Sequence, residues 1–415
     1  MLLNSYPKKH FSMRCVLQFL PMAGTKSGRE EKDFSEGSVI ELAEVQTAAA
    51  PQEVCCGGAP PPKTNPLERP GYTLKPFVRA FIKDSRSDVA LVKTELDFSD
   101  HIGALLARLG INRDEYRIAP GLYGVGYPGQ GSPVIVTANY KLTFDFVRRE
   151  LAGLDCWILV LDTCGINVWC AAGKRTFSTE EIVYRIKETG LSERVNHRRV
   201  IVPQLGASGI AAHEVRKRCG FRVVYGPVKA VALKAFLEND MQATEKMRTV
   251  TFTFGERFEL IPVEFYLFGR KVWWIFPLLF IISGFSPDIF SPLQGWQRGI
   301  LVSSAALWGG VCGMLIVPLL LPWIPGRAFS LKGALLAMAT TPAFVLVADL
   351  QVLETTALVL VFTSISSHLA MNFTGSTPYT SPSGVEKEMK RALPLQGLAL
   401  AAGIVMWLAA PFVNI

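Results

Sequence analysis

Charge is what this sequence lacks most. Asp, Glu, Lys and Arg make up only 19% of its 415 residues, apolar residues make up 49%, and the mean hydropathy is +0.27. A chain soluble throughout carries about 25% charged residues, so part of this one is expected in lipid. Paired CxxC units of a zinc site are also missing. The eight cysteines (Cys15, Cys55, Cys56, Cys156, Cys164, Cys170, Cys219 and Cys312) lack the short, even spacing of a disulfide scaffold and the spacing of an iron–sulfur cluster. Reduced thiols in a cytoplasmic domain fit that pattern, with one or two as ligands or nucleophiles. The net charge is +8, yet runs such as Arg216-Lys217-Arg218 are short and no aromatics interleave them. That argues against a nucleic-acid partner and for solvated helix faces and cations at a membrane's inner surface.

The apolar excess is concentrated after Lys271 and divides the chain into three parts. Residues 1–70 are polar and rich in Pro and Gly, and read as a flexible extension. Lys8, Lys9 and Arg14 before Val16–Met22 imitate a secretory signal, but the apolar stretch is short and broken by Pro21; a solvated tail, or a start at Met13 or Met22, fits better. Residues 71–265 alternate between strand-like and helix-like segments. Val134–Thr137, Trp157–Leu161, Val200–Val202 and Phe221–Tyr225 read as strands. Between them, Leu142–Leu154, a segment opened by an S-x-x-E capping box at Ser178 and Glu181 and closed at Gly190, and one ending at Cys219-Gly220 read as helices. That alternation predicts a doubly wound α/β sheet with ligand-bearing loops after Thr163, Pro203 and Gly226.

Residues 266–415 read as an all-α transmembrane domain of five helices, with spans at about 272–290, 299–321, 331–348, 352–371 and 393–413. With the α/β domain in the cytoplasm, the inner segments hold Arg270, Lys271, Arg327, Lys332, Lys387, Lys390 and Arg391, and the outer loops hold Arg298 alone. This bias predicts a multi-pass protein of the cell membrane with its C-terminus outside. His368 is the main ionisable residue expected within a span, which suits an anchor or docking platform better than a transporter.

The chemistry is concentrated in Asp162–Lys174, at the carboxyl end of the most apolar strand. Asn167 is a plausible N-cap, Val168–Ala172 can form one or two helical turns, and Cys170 falls in the first turn, where the helix dipole and Lys174 favour thiolate. The small Ala171, Ala172 and Gly173 would let this helix approach a large flat partner. A phosphate loop fails here, because Val168 and Arg175 stand where Gly and Ser/Thr are needed. A dinucleotide fingerprint fails on the spacing of Gly165 and Gly173. An inert buried cysteine remains the alternative. His197 and His213 read as structural or surface residues.

The run Asn167-Val168-Trp169-Cys170-Ala171-Ala172-Gly173-Lys174 resembles the cap-helix signature of the HgcA family, the corrinoid proteins of microbial mercury methylation. The likeness continues through Phe177–Glu181, Pro203–Ala207, Met371–Tyr379 and Pro382–Glu388, and covers about residues 55–413. What the resemblance implies is a Rossmann-like corrinoid-binding domain in which Cys170 is the lower axial ligand of cobalt, and Asn167 through Lys174 shape the face against the cofactor. It implies an anaerobic methyltransferase that passes a methyl group from methyl-cobalt(III) corrinoid to Hg(II), forming methylmercury. A thiolate, softer and more electron-rich than imidazole, would assist departure of the methyl group as a carbanion equivalent or radical. The implied partners are an HgcB-type ferredoxin-like iron–sulfur reductant and a methyl donor of the methyl-folate type, reached through another methyltransferase. Cys55 and Cys56, adjacent soft thiols, are a secondary candidate for capturing Hg(II). Two other readings stay open: a membrane-tethered corrinoid methyl carrier with a non-mercury acceptor, and a transporter or docking protein with a regulatory α/β domain.

Overall fold

The structure, a computed structural model, describes residues 68–71, 74–83, 87–287, 289–347, 350–380 and 382–413. Cys15, Cys55, Cys56 and most of the extension expected over 1–70 lie outside the described residues.

Seven strands form one sheet, each built from a short apolar run. The first part of the domain runs β1 (Val78–Ile82), β2 (Val89–Val92), α1 (Phe98–Arg108), β3 (Gly121–Val125), β4 (Val134–Ala138), α2 (Lys141–Glu150) and β5 (Cys156–Leu161). There follow α3 (Val168–Gly173), α4 (Thr179–Glu188), α5 (Leu191–Arg194), β6 (Arg199–Val202), α6 (Ala212–Cys219), β7 (Arg222–Tyr225), α7 (Leu233–Glu238) and α8 (Glu245–Arg248). The strand order is β1-β2-β3-β5-β4-β6-β7. The pairs β4/β5, β4/β6 and β6/β7 are parallel, whereas β3 runs antiparallel to β5 and β1 to β2. The sheet is therefore mixed rather than doubly wound throughout. The short link from Gly126 to Pro133 holds no crossover helix, and a parallel return needs one.

Alternate residues of β5 serve two apolar layers. Trp157, Leu159 and Leu161 pack with Val168, Ala171, Ala172, Phe177 and Ile182, while Cys156, Ile158 and Val160 pack with Phe144, Val147, Leu233 and Phe236. Helices thus cover both faces, and burial of each large aliphatic side chain stabilises the fold by about 1.5–3 kcal/mol. A buried ion quartet pins α1 to α2. Arg148, fully buried, donates through Nη2 to Asp100 (2.5 Å) and through Nε to Asp145 (2.8 Å), and Lys141 reaches the same two carboxylates at 2.5 and 2.6 Å. Burial pushes the Asp145 carboxyl up. For Asp100 burial acts the same way, but the hydrogen bond and charge of Lys141, then Arg148, outweigh it and hold that carboxyl below its ordinary value.

Beyond Thr253, whose hydroxyl and the Glu256 carboxylate form a capping box, come α9 (Phe254–Phe258), α10 (Ile261–Val272) and α11 (Ile275–Ser283). A two-stranded hairpin, β8 (Phe285–Ser286) and β9 (Ile289–Phe290), leads to α12 (Pro292–Val311), which continues through a π-turn into α13 (Val317–Leu320). The chain closes with α14 (Phe329–Val347), α15 (Val352–Met371) and α16 (Pro382–Ala409). Among the described residues, three helices are long and apolar enough to cross a membrane: Pro292–Leu320, Val352–Thr374 and Ser383–Phe412. A fourth results if Phe254–Arg270 and Ile275–Ser283, bent by 57°, count as one span. The five spans expected are not all found. The segment 272–290 holds only the short α11 and part of the hairpin, and 331–348 falls in α14.

Two of the cations read for orientation are buried in helices, and for Arg298 this departs from the outer loop expected. Arg298 is buried within α12, with Nε 3.1 Å from Glu354 Oε1 on α15 and its guanidinium 4.4 Å from the centre of the Trp407 ring on α16. Lys332 is buried in α14, and its ammonium donates to the carbonyls of Leu321 (2.8 Å) and Ile324, closing the carboxyl end of α13. At that same end Leu321, Phe329 and Phe373 pack with Phe252 and Leu260, so this is the end that adjoins the α/β domain.

Candidate functional site

β5 lies on one side of β4 and β6 on the other, so the chain reverses its direction of growth across β4. In open α/β sheets the crevice outside the carboxyl ends at such a reversal is where ligands bind. Here β4 and β6 register at a single pair, Ile135 opposite Ile201. A cavity of about 510 Å³ opens there, lined by Val136 and Thr137 of β4, Phe146 and Val147 of α2, Pro203 and Leu205 after β6, and Gly226 after β7. The Thr137 hydroxyl is buried and has no hydrogen-bond partner among the described residues.

The cavity also borders the approach to the helical region. Lys229 and Glu256, both of which line it, form an ion pair at 2.6 Å. Burial works against ionisation of Glu256, but Lys229, the Thr253 amide and the hydroxyls of Thr251 and Thr253 outweigh it and hold the carboxyl at about 2.

On its third side the cavity meets α3. The loop that launches this helix is centred on the side chain of Asn139, directly after β4. Its Oδ1 accepts from the amides of Thr163 (3.0 Å) and Gly165 (2.9 Å), and its Nδ2 donates to Asp162 Oδ1 (3.0 Å). Asp162 Oδ1 in turn accepts from the Cys164 amide at 3.0 Å. Cys164 and Gly165 take φ values of +59° and +75°, a tight left-handed turn that these bonds secure. Asn167 then caps α3 as expected, its Oδ1 accepting from the Cys170 amide at 2.9 Å.

Helical spacing divides the expected site residues into two faces. Val168, Ala171 and Ala172 are buried and point to the sheet. Trp169 and Gly173 are exposed, Cys170 and Lys174 half-buried. Asn167, Val168 and Trp169 line the cavity, and Cys170 does not. The expectation that Ala171 and Ala172 admit a large flat partner is corrected: they admit the domain's own chain. A Cβ at Gly209 would lie 2.0 Å from the Phe177 carbonyl oxygen and 3.2 Å from Ala172 Cα, and one at Gly206 would lie 2.4 Å from the Phe177 ring. Gly173 is the opposite case, because a Cβ there would meet nothing within 4 Å. It leaves open space beside Cys170.

The other described cysteines are poorer ligands. Cys156, Cys164 and Cys312 are buried, the Cys156 thiol is pushed up to about 12 by burial, and Cys219 donates to the Val215 carbonyl at 3.1 Å. His197 donates through Nε2 to the Ser132 carbonyl at 2.9 Å, and His213 projects into solvent beside Glu214, which fits a structural and a surface role. The capping box at Ser178 is half formed. Ser178 accepts from the Glu181 amide (3.2 Å), but the Glu181 carboxylate turns to the Asp162 amide (3.0 Å) and to Arg185 (2.7 Å). Asn139 and Thr137 are the site residues that motif reading missed, while Asp162 was named only as the start of the loop and Glu181 only as part of a capping box and of the matching run. The one sequence signal was position, because Thr137, Asn139 and Asp162 stand at carboxyl ends of apolar strands.

The fold defines a mixed α/β domain of the open-sheet class, with a crevice at its switch point, joined to a set of apolar helices. Residues 111–237, which build most of the crevice, match the CdhD family, described as CO dehydrogenase/acetyl-CoA synthase delta subunit. The chain is similar to the γ subunit of the acetyl-CoA decarbonylase/synthase complex of Methanopyrus kandleri, 35% identical over 130 residues, which is 31% of this chain and 28% of that protein. It is 32% identical to the Methanocaldococcus jannaschii subunit over 156 residues, 36% of this chain and 32% of that protein. For the Methanothermobacter thermautotrophicus subunit the figures are 31% over 168 residues, 39% and 36%. The chain thus spans well under half the length of the curated relatives it matches, and the likeness is one of the α/β domain.

Proposed function

We propose that this chain is a membrane-tethered corrinoid protein that transfers a methyl group, with Hg(II) as acceptor. The observation that carries the reading is α3: a helix seated by Asn139 and Asn167 at the rim of a switch-point crevice, with Cys170 and the open side of Gly173 turned away from the sheet. The residues present fit a corrin. The orphaned Thr137 hydroxyl inside the cavity awaits a polar partner, and corrin rims carry amide groups. A bound corrinoid supplies a metal that takes up a methyl group and gives it to an acceptor. Cys170 would be the protein's ligand to that metal, a soft donor. Asn167 fixes the start of the helix that carries it, and Trp169 screens one side from water. Among the described residues, Lys229 and Glu256 would close the side nearest the helical region.

The remaining parts of the proposal rest on the residues around this site. An HgcB-type iron–sulfur reductant and a methyl-folate-type donor would serve the cycle. The cytoplasmic placement of the α/β domain is supported by Arg327, two residues before Phe329 at the bundle end beside it, and by Lys387, Lys390 and Arg391 around Glu388, whose carboxylate accepts from the Ser330 amide at 2.6 Å, while Arg298 is removed from the count of outer cations by its pairing with Glu354. A non-mercury acceptor is the second reading, favoured by the likeness to subunits of the acetyl-CoA decarbonylase/synthase complex.

The test is cobalt and corrinoid content of the full chain purified under reducing conditions, wild type beside Cys170→Ala and Cys170→His, followed by Hg(II) methylation with the reductant present. The wild type is expected to retain corrinoid and to methylate, and the variants to lose methylation while keeping the wild-type melting temperature. No corrinoid on the wild type, or full activity in Cys170→Ala, refutes the reading. Corrinoid retention without mercury methylation selects the second acceptor class.

A further inference from the structure

A second cavity, of about 530 Å³, lies in the helical region between α10, α11, α12, α15 and α16. Phe268, Phe276, Leu279, Leu400, Ile404 and Trp407 give it an apolar wall, and its polar side chains are Ser364, His368 and Gln396. Its size is in the ordinary range for small-molecule pockets, roughly 300–1,000 Å³. In lipid, a polar atom with no partner is costly, so each one inside such a cavity needs an explanation.

The hydrogen bonds fix which atoms face the cavity as donors and acceptors. Ser367 Oγ spends its only hydrogen on the Ser330 carbonyl at 2.9 Å. The Gln396 atom 2.8 Å from Ser367 Oγ must therefore be the amide nitrogen, which also reaches Met371 Sδ at 3.3 Å. Gln396 Oε1 is then the atom 3.3 Å from His368 Nδ1, and a carbonyl oxygen can only accept. In the uncharged ring Nδ1 carries the hydrogen, and Nε2 is left with its lone pair. One turn earlier on α15, Ser364 is buried, lines the same cavity, and has a hydroxyl with no partner among the described residues. The cavity thus offers an acceptor and a hydroxyl, four residues apart on one helix, inside an apolar aromatic wall.

We infer that this cavity binds the head of a membrane-soluble hydroquinone with an apolar tail. A hydroquinone has O–H groups to donate to His368 Nε2 and to exchange with Ser364, a flat ring for the aromatic wall, and a chain that can leave between the helices. The inference rests on the helices lying in lipid and is independent of the corrinoid reading.

The test uses the full chain in lipid nanodiscs and a decyl-substituted benzohydroquinone, with its dimethyl ether and decanol as comparison ligands. Saturable binding of the hydroquinone is expected, weakened about tenfold for the ether and for Ser364→Ala, as for one lost hydrogen bond in an apolar site, and more for His368→Leu. Gln396→Leu, which frees the imidazole to turn, is expected to weaken binding without changing the melting temperature. Equal binding of the hydroquinone and its ether, or no saturable binding by well-folded nanodisc-embedded protein, overturns the proposal. Equal binding of decanol overturns the assignment to a ring. Failure to enter nanodiscs refutes the membrane reading instead, so the two failures are distinct.

Discussion

The seating of α3 can be tested with two glycine substitutions that the structure places in opposite environments. In Gly209→Ala the new methyl group would stand 2.0 Å from the Phe177 carbonyl oxygen and 3.2 Å from Ala172 Cα. Both are backbone atoms, so no side chain can swing aside. Overpacking a tight site costs about 1–3 kcal/mol, and a clash with backbone belongs at the upper end. For a domain of this size each kcal/mol lowers the melting temperature by about 2–4 °C, so a fall of roughly 6–12 °C is expected, with α3 lifted from Phe177. Gly173→Ala meets nothing within 4 Å and replaces a glycine at the last helical position, so its stability should change by less than about 1 kcal/mol. If a corrin lies against the outward face of α3, that same methyl group intrudes on it, and corrinoid retention should fall while the melt stays put. Differential scanning fluorimetry of the full chain in detergent and its corrinoid absorbance read both quantities. Wild-type melting in Gly209→Ala refutes the close packing of α3, and undiminished corrinoid in Gly173→Ala refutes approach of the cofactor to its outer face.

What could be read in advance was whatever local chemistry alone decides. β4 to β7 were legible because each is a continuous apolar run, and Asn167 because capping needs only the residue and its own third neighbour. The direction of β3 was not, because Gly121–Val125 is buried on both faces and its composition carries no sense; the helix-free link after it decides. Glu181 was misread for a related reason. A capping box offers its carboxylate a local amide, and the fold offers a better one at Asp162 beside the charge of Arg185. The small residues of α3 were recognised as marking close approach, but spacing of three and four residues assigns Ala171 and Ala172 to the sheet and leaves only Gly173 facing out. Arg298 looked like a loop charge because its partner, Glu354, is distant in sequence and adjacent only once α12 and α15 pack.

Three further outcomes follow from Arg148, Thr137 and Glu256. Arg148→Met leaves Asp100 and Asp145 with Lys141 as their only cation among the described residues and takes a donor from two backbone carbonyls, those of Lys93 and Glu95. A loss of about 3–5 kcal/mol in urea unfolding is expected, and a loss below about 1 kcal/mol contradicts the quartet's role. Thr137→Val should leave the melt of the cofactor-free protein unchanged, since the hydroxyl has no partner to lose, and should weaken corrinoid binding about tenfold; unchanged affinity sinks the assignment of Thr137 to the cofactor. The third concerns Glu256, which the fold holds at about 2 against an ordinary 4.5. A carboxyl depressed on folding contributes stability that is fully present above its unfolded value and is lost as pH falls through the folded one. The gap in melting temperature between wild type and Glu256→Gln should therefore be widest above 4.5 and close as pH drops towards about 2. Because Lys229 and Glu256 are 45% and 32% exposed, the gap should be small and should shrink in molar salt. A gap that widens on acidification would show that Glu256 is not held ionised by Lys229 and the Thr251–Thr253 turn. The ion pair would then not close the crevice on the side of the helices.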